Sequence, residues 1–452
     1  MFESVLVANR GEIAVRVIRT CQRLGVKAIA VHSEADAGAL HVRVADEAVL
    51  LGPPPAAESY LDIGRVLEAA QVTGAQAIHP GYGFLAENAQ FARRVSAAGL
   101  AWIGPAPEAI EAMGDKVAAR AAMAAVGVPV APGTEPLPDA DAAAAAAARI
   151  GYPVMVKAAA GGGGIGMAAV DDEPALRAAY ETARTRAERF FGSPAVFLER
   201  YLPHARHVEV QVLGLTDGRV LALGERDCSV QRRHQKVAEE SPSPGVTPQL
   251  RAQMLAAARR AAQAVDYRGA GTVECLVPTD GSGEFFFLEM NTRLQVEHPV
   301  TELVTGIDLV EEQLRVAAGD PPALDPDRPP DPRGHAIELR VYAEDPKRFL
   351  PGPGTITRWE EPSGEGIRVD SGYAAGDTVT PYYDPLLAKL CVWGTDRPAA
   401  LERARQAVAG FAVEGPKCNL PFFAELLQQP EFVSGSYDTG LVAAMRAPAS
   451  GR

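Results

Sequence analysis

Between Glu289 and Glu297 the chain packs carboxylate, amide and arginine side chains into nine residues, Glu-Met-Asn-Thr-Arg-Leu-Gln-Val-Glu. The run before it, Phe285 to Leu288, is apolar and reads as a strand. Side chains alternate along a strand, so Glu289, Asn291 and Arg293 are expected on one face. Two hard oxygen ligands would then stand beside a cation able to hold a small oxyanion. A further acid, Glu274 in Gly271-Thr-Val-Glu-Cys-Leu276, precedes a turn at Pro278 to Glu284 that can fold the chain into a hairpin. Antiparallel pairing would set Glu274 and Glu289 side by side. Adjacent carboxylates in a dry cleft repel unless a dication joins them. Glu274, Glu289 and Asn291 are therefore candidate ligands for Mg²⁺ or Mn²⁺.

Phosphate is the natural partner of such a metal, and the chain offers a cradle for it. Ala160-Gly-Gly-Gly-Gly-Ile-Gly166 follows an apolar run that ends in Lys157. Gly162, Gly163, Gly164 and Gly166 carry no Cβ, so their N–H groups can close over phosphate oxygens. No Gly-Lys-Ser/Thr follows, which excludes a Walker A loop. Taken alone, a glycine run is more often a flexible turn; Lys116, Lys157 and the downstream acids give this one weight. A second dense segment, Glu225-Arg-Asp-Cys-Ser-Val-Gln-Arg-Arg-His-Gln-Lys236, is not a surface basic patch, because Cys228, Val230 and polar residues interrupt it.

The elements that must position these groups follow from periodicity. Ser4–Ala8, Gly11–Leu24 with a stop at Gly25, and Val26–Val31 read as strand, helix and strand, the unit of a parallel sheet. The turn Asn9-Arg-Gly-Glu12 has one glycine, so a dinucleotide site is not expected despite the Rossmann-like pattern. Ala77–Gly83 and Ala101–Pro105 read as later strands, and this first domain should span 1–112. Met113-Gly-Asp-Lys116 reads as the start of a helix, and the alanine run after Asp141 as a lid helix. Tyr152–Lys157 and Ala195–Arg200 are strands around the glycine loop, with a helix to about Arg189; together 131–203 makes a small α+β lid. From His207 the alternation Val-Glu-Val-Gln-Val predicts antiparallel sheet, continuing at Val220–Gly224 and Thr272–Val277. Asp320–Arg333 is rich in proline and aspartate and reads as a linker. The central domain is then 113–333, and 334–445 is a smaller α+β domain.

Composition sets outer bounds. The chain has 452 residues, too many for one core, and is 47% hydrophobic and 22% charged. With 44 basic and 57 acidic residues its net charge is −13, against a nucleic-acid partner. Cys21, Cys228, Cys275, Cys391 and Cys418 stand singly, which suits reduced thiols in the cytoplasm and gives no zinc site. The N-terminus enters a strand at once, so no signal peptide is expected. No apolar run approaches the ~20 residues of a membrane span.

These motifs together resemble the biotin carboxylases, ATP-grasp enzymes that carboxylate biotin. The resemblance runs nearly end to end, from Val7-Ala-Asn-Arg-Gly-Glu-Ile-Ala14 through His79-Pro-Gly-Tyr-Gly-Phe-Leu-Ala-Glu-Asn88 and Glu289–Glu302 to Pro381-Tyr-Tyr-Asp-Pro-Leu386. It implies a Rossmann-like N-terminal domain, a central ATP-grasp domain with a mobile lid, and an α+β C-terminal domain. It also implies an ATP- and bicarbonate-dependent carboxylation of biotin through carboxyphosphate. Lys116, Lys157 and the glycines would hold ATP phosphates; Glu199, Arg200 and Leu202 would meet the adenine. His207 would lie near the ribose, and Gln231 and His234 near ATP. Lys236, Arg293, Gln295 and the Val296 backbone would hold bicarbonate, with Glu297 as its general base. Arg340, in Gly334-His-Ala-Ile-Glu-Leu-Arg340, would contact biotin and stabilise its enolate.

Ala444-Met-Arg-Ala447 lacks a biotinyl lysine, so biotin is expected on a separate biotin carboxyl carrier protein, with carboxyltransferase subunits as further partners. Subunits of this kind serve acyl-CoA carboxylases such as acetyl-CoA carboxylase, hence fatty acid biosynthesis. A homodimer is implied, although Glu365 stands where some relatives have an aromatic at the dimer surface. Ile165 and Arg200 replace an arginine and a lysine common in the family. Two other readings stay open on the residues alone: another ATP-grasp ligase, of carboxylate–amine or carbamoyl-phosphate type, and a catalytically silent nucleotide-binding scaffold.

Overall fold

The computed structural model describes residues 1–159 and 167–447. The glycine run, with Gly162, Gly163, Gly164, Ile165 and Gly166, lies outside the described residues.

The N-terminal sheet contains β1 (Ser4–Val7), β2 (Lys27–Ser33), β3 (Glu47–Gly52), β4 (Ala77–His79) and β5 (Ala101–Trp102), in the order β3-β2-β1-β4-β5. All its pairings are parallel, as the strand–helix–strand pattern predicts. The helix Gly11–Arg23 buries Ile13, Ala14, Val17, Ile18 and Cys21, one stripe at helical spacing. It ends before Gly25, whose φ of +71° is left-handed. The edge strand β3 is missing from the sequence reading, because its Glu47-Ala-Val-Leu run exposes every second residue only partly.

The expected helix start at Met113 is corrected. Met113 and Gly114 close one helix, Pro107–Gly114, and Asp115 caps a second, Lys116–Ala125, by accepting from the N–H groups of Val117 and Ala118. The alanine run is a helix, Ala140–Ile150, capped by Asp139. Its small side chains lie against the helix Glu173–Phe191 and a three-stranded sheet, β6 (Val154–Ala158), β7 (Met167–Val170) and β8 (Val196–Arg200), ordered β7-β6-β8.

The site is carried by an eight-stranded antiparallel sheet. Its first six strands, in spatial order, are β13 (Phe286–Asn291), β12 (Gly269–Pro278), β9 (Ala205–Gly214), β10 (Val220–Arg232), β11 (Gln235–Ser241) and β14 (His335–Tyr342). The strands Leu386–Gly394 and Ile367–Ser371 complete it. The sheet thus crosses the expected boundary at 333/334 through the β11–β14 pairing, although 320–333 itself forms no regular element. β10 also runs well past Gly224, so most of the Glu225–Lys236 segment is strand. Only Arg233 and His234 turn, both with positive φ, as a two-residue hairpin requires.

The two large sheets share a core. Val5, Val7, Ile13 and Val17 pack with Leu213, Leu221 and Leu223. That packing fixes the N-terminal unit against the sheet that carries the acids.

Candidate active site

Register lines up the chemistry. Glu289 of β13 pairs with Glu274 of β12, Glu274 with Glu209 of β9, and Glu209 with Arg226 of β10. One row across four strands thus holds three carboxylates and one guanidinium. Arg226, fully buried, binds Glu209 Oε1 at 2.5 Å from one side. Lys236 enters from β11 and donates to Glu209 at 2.6 Å, Glu274 at 2.8 Å and Glu297 at 2.7 Å. Burial lowers its pKa, but those three acids outweigh it and raise the pKa well above the ordinary lysine value.

The two paired acids differ in charge environment. Burial opposes ionisation of Glu274, yet Lys236 and His207, whose Nε2 lies 2.7 Å away, draw its pKa down. Asn291 and Gln295 also donate to Glu274 Oε1, at 2.8 Å and 3.2 Å. Glu289 takes no hydrogen bond or ion pair from any described residue, and burial followed by repulsion from Glu274 raises its pKa. An unpartnered carboxylate facing a cleft beside a second carboxylate is a fitting donor set for a hard dication.

Arg293 departs from its expected place. β13 ends at Asn291, so Arg293 sits in the following turn and not on the strand face. It still reaches the site: its guanidinium donates to Asn291 Oδ1 at 3.1 Å and to Glu87 at 2.8 Å. Glu297 directly precedes the helix His298–Thr305, makes no side-chain hydrogen bond to its first turn, and is fully buried. Burial would raise its pKa, but Lys236, Arg340 and Arg226 hold it well below the ordinary carboxylate range. Arg340 donates to Glu297 Oε2 at 2.9 Å and lies 2.5 Å from Glu239.

Lys236, Glu274, Glu289, Asn291, Arg293 and Arg340 line a cleft of about 1570 Å³ together with Lys116, Lys157, Leu202, His234 and Val296, while Glu209, Arg226 and Glu297 are fully buried. Lys116 begins its helix at one wall. Lys157 and Glu199 are joined by an ion pair, and Arg120 of the helix Lys116–Ala125 binds the same carboxylate, so the Glu199 side chain links the lid sheet to that helix. Arg200 and Leu202 line the adjoining edge. Gln231 donates to His207 Nδ1 at 2.7 Å, which fixes that ring against Glu274. Sequence reasoning missed Glu209, Arg226 and Glu239. The signal for Glu209 was present: both faces of β9 are buried, so the polar half of Val208-Glu-Val-Gln-Val must point into something other than water.

Comparison with known proteins finds family matches in three segments of the chain. Residues 1–110 match the biotin carboxylase N-terminal domain and 338–444 the biotin carboxylase C-terminal domain. Residues 115–324 match the ATP binding domain of the carbamoyl-phosphate synthase L chain. The chain belongs to the biotin carboxylases. It is 52% identical over 444 residues to a biotin carboxylase of Halalkalibacterium halodurans, covering 98% of this chain and 97% of that one. A biotin carboxylase of Pseudomonas aeruginosa is 50% identical over 96% of both chains. The Campylobacter jejuni biotin carboxylase, solved as a beta-gamma-ATP complex, superposes with a TM-score of 0.95 at 44% identity, over 98% of this chain and 99% of that one. The biotin carboxylase domain dimer of the Hydrogenobacter thermophilus 2-oxoglutarate carboxylase, solved with MgADP and bicarbonate, superposes at 0.93 and 44% identity, over 98% of both chains. As a biotin carboxylase, this chain is an ATP-dependent ligase.

Proposed function

We propose that this chain performs the first half-reaction of a biotin-dependent carboxylase, using the residues gathered around Lys236. The observation that carries the assignment is the meeting of Lys236 and Arg340 on one carboxylate, Glu297, next to the Glu274–Glu289 pair. An ATP-grasp ligase for amines needs the acid pair but has no use for a second, deeply buried cation at Glu297.

Bicarbonate enters beside Arg293 and displaces part of the Lys236 and Arg340 pairing. Lys236, Arg293, Gln295 and the Val296 N–H then hold it, and Glu297 takes its proton. The bicarbonate oxygen attacks the γ-phosphorus of ATP, ADP leaves, and carboxyphosphate forms. Mg²⁺ held by Glu274, Glu289 and Asn291 would neutralise phosphate charge during that transfer. Lys116, Lys157 and the glycine loop would grip the phosphates, Arg200 and Leu202 the adenine, His207 the ribose edge, and Gln231 and His234 the remaining nucleotide contacts. Closing the lid keeps water from carboxyphosphate. Carboxyphosphate then splits into CO₂ and phosphate, the released phosphate takes the N1′ proton of biotin, Arg340 balances the charge left on the ureido oxygen, and N1′ bonds to the CO₂ carbon.

In this reading the domains are 1–112, 113–333 with a lid near 131–203, and 334–445. Biotin arrives on a separate carrier protein, a carboxyltransferase uses the product, and the enzyme works in the cytoplasm as a dimer. None of the helices among the described residues is long and apolar enough to cross a membrane. Glu365 is exposed on the turn before Ile367–Ser371, and it would put a charge where that dimer forms. The test is phosphate release from Mg·ATP. It should require bicarbonate and rise with free biotin. Release indifferent to both, but stimulated by an amine or amino acid, would sink the assignment.

A further inference from the structure

Arg340 and Lys389 are register partners on adjacent strands, β14 and Leu386–Gly394, so two cations stand side by side on one sheet face. Their targets are also neighbours. Arg340 binds the carboxylate of Glu297, and Lys389 donates to the carbonyl of Val296 at 3.0 Å, the peptide that leads into Glu297. Lys389 has no solvent exposure. An ammonium so buried needs compensation, and it has two acids: Glu12 at 3.1 Å, from the first turn of the helix Gly11–Arg23, and Asp370 at 3.7 Å, its partner on the strand Ile367–Ser371. Arg368 fixes Asp370 in turn with two hydrogen bonds, at 2.9 Å and 2.7 Å.

Two acids already compensate the lysine's charge. The donor spent on Val296 adds nothing to that balance, and it points at the segment expected to hold the oxyanion. The backbone around it admits little slack. A Cβ on Gly372, just past the Ile367–Ser371 strand, would meet the backbone nitrogen of Glu12 at 2.5 Å, so the helix start and the strand end are in close contact.

We propose that Lys389 is a positioning residue for Gln295–Glu297, gripping with Arg340 two adjacent residues of the bicarbonate-binding turn, Val296 and Glu297, and tying it to the N-terminal helix through Glu12. The role rests on the biotin carboxylase reading given above. It lets the N-terminal unit set the placement of the general base without touching any reactant.

Steady-state kinetics of bicarbonate-dependent ATP cleavage decide it. Lys389→Met should raise the KM for bicarbonate roughly tenfold or more and lower kcat, because small misplacement of a reacting group costs heavily. The KM for ATP, whose ligands lie on other strands, should stay within about twofold. The double variant Glu12→Gln/Lys389→Met removes both charges and should recover thermal stability without recovering the bicarbonate KM. If the double variant restores both, Lys389 only neutralises Glu12 and the proposal falls. It falls equally if folded Lys389→Met keeps wild-type kinetics, or if neither variant folds while Lys389→Arg behaves as wild type. A wild-type enzyme indifferent to bicarbonate would instead overturn the functional reading on which this rests.

Discussion

Glu274 and Glu289 stand directly opposite each other across the β12–β13 pair, and among the described residues only Glu274 takes hydrogen bonds or ion pairs. Lys236, His207, Asn291 and Gln295 all converge on Glu274, while Glu289 lines the cleft with no hydrogen-bond or ion-pair partner among the described residues. The pair is asymmetric before any metal arrives. One acid is held ionised by the protein, and the other is left for a cation from outside.

Glu289→Gln should therefore leave the fold intact and raise thermal stability slightly, since it removes a repulsion and breaks no bond. Turnover should fall about 10³-fold, which corresponds to ~4 kcal/mol of barrier from weakened metal binding. Differential scanning fluorimetry with ADP, with and without Mg²⁺, gives the paired readout: Mg²⁺ should no longer add to the shift. Wild-type turnover in the folded variant would show that Glu289 is not a metal ligand.

Lys236→Met should be far more damaging. It leaves Glu209, Glu274 and Glu297 without their shared cation in a buried site, a loss of about 3–5 kcal/mol in chemical denaturation. Adding Glu209→Gln should return part of that stability but none of the bicarbonate-dependent ATPase. Recovery of activity in the double variant would remove Lys236 from the bicarbonate site.

Arg340→Ala should lower carboxybiotin formation by roughly 10²-fold while sparing more of the bicarbonate-dependent ATPase. Because Arg340 is one of the cations that depress the Glu297 pKa, its removal makes Glu297 more basic. The acid limb of the ATPase pH profile should then move to higher pH, since Glu297 must be ionised to accept a proton. Lysine should rescue poorly, as a point-charge ammonium does not reproduce the planar guanidinium whose Nη2 meets both Glu239 and Glu297. Near-normal biotin carboxylation in the alanine variant would require another cation for the enolate.

Glu240 gives a pH signature of stability. Burial would push its carboxyl up, but hydrogen bonds from His335 and Arg397 hold it at about 2 in the folded chain. A depressed acid stabilises the fold above its unfolded pKa, and that contribution fades as pH falls from about 4.5 toward 2. At neutral pH Glu240→Gln should cost about 3 kcal/mol, and the gap to wild type should narrow through that window. A gap constant from pH 7 to 3 would show that the ion pairs of Glu240 add nothing.

Much of the site was legible because its residues are local in sequence. Glu289, Asn291, Gln295 and Glu297 lie within one strand and turn, and Glu274 lies one hairpin away, so period-two alternation and antiparallel pairing brought the acids together. Arg293 shows where this stops: alternation assumes the strand continues, and β13 ends at Asn291. The strand–helix–strand and alternating runs were equally readable, since they are set by which faces are apolar, whereas the β11–β14 pairing across 333/334 was not.

The sequence by itself determined which groups exist and which near neighbours they have: the paired acids, the lysines, the histidine, the glycine run and the family to which they belong. Only the tertiary structure decided their charge states and their partners. Lys236 meets Glu209 and Glu297, and Arg340 meets Glu239 and Glu297, from strands far apart along the chain. Lys389 reaches Val296 and Glu12 across 93 residues in one case and most of the chain in the other. A Coulomb interaction depends on distance and burial, and neither is written in the spacing of residues along a chain. Sheet register supplies the first, and packing of the N-terminal helix against the C-terminal strands supplies the second.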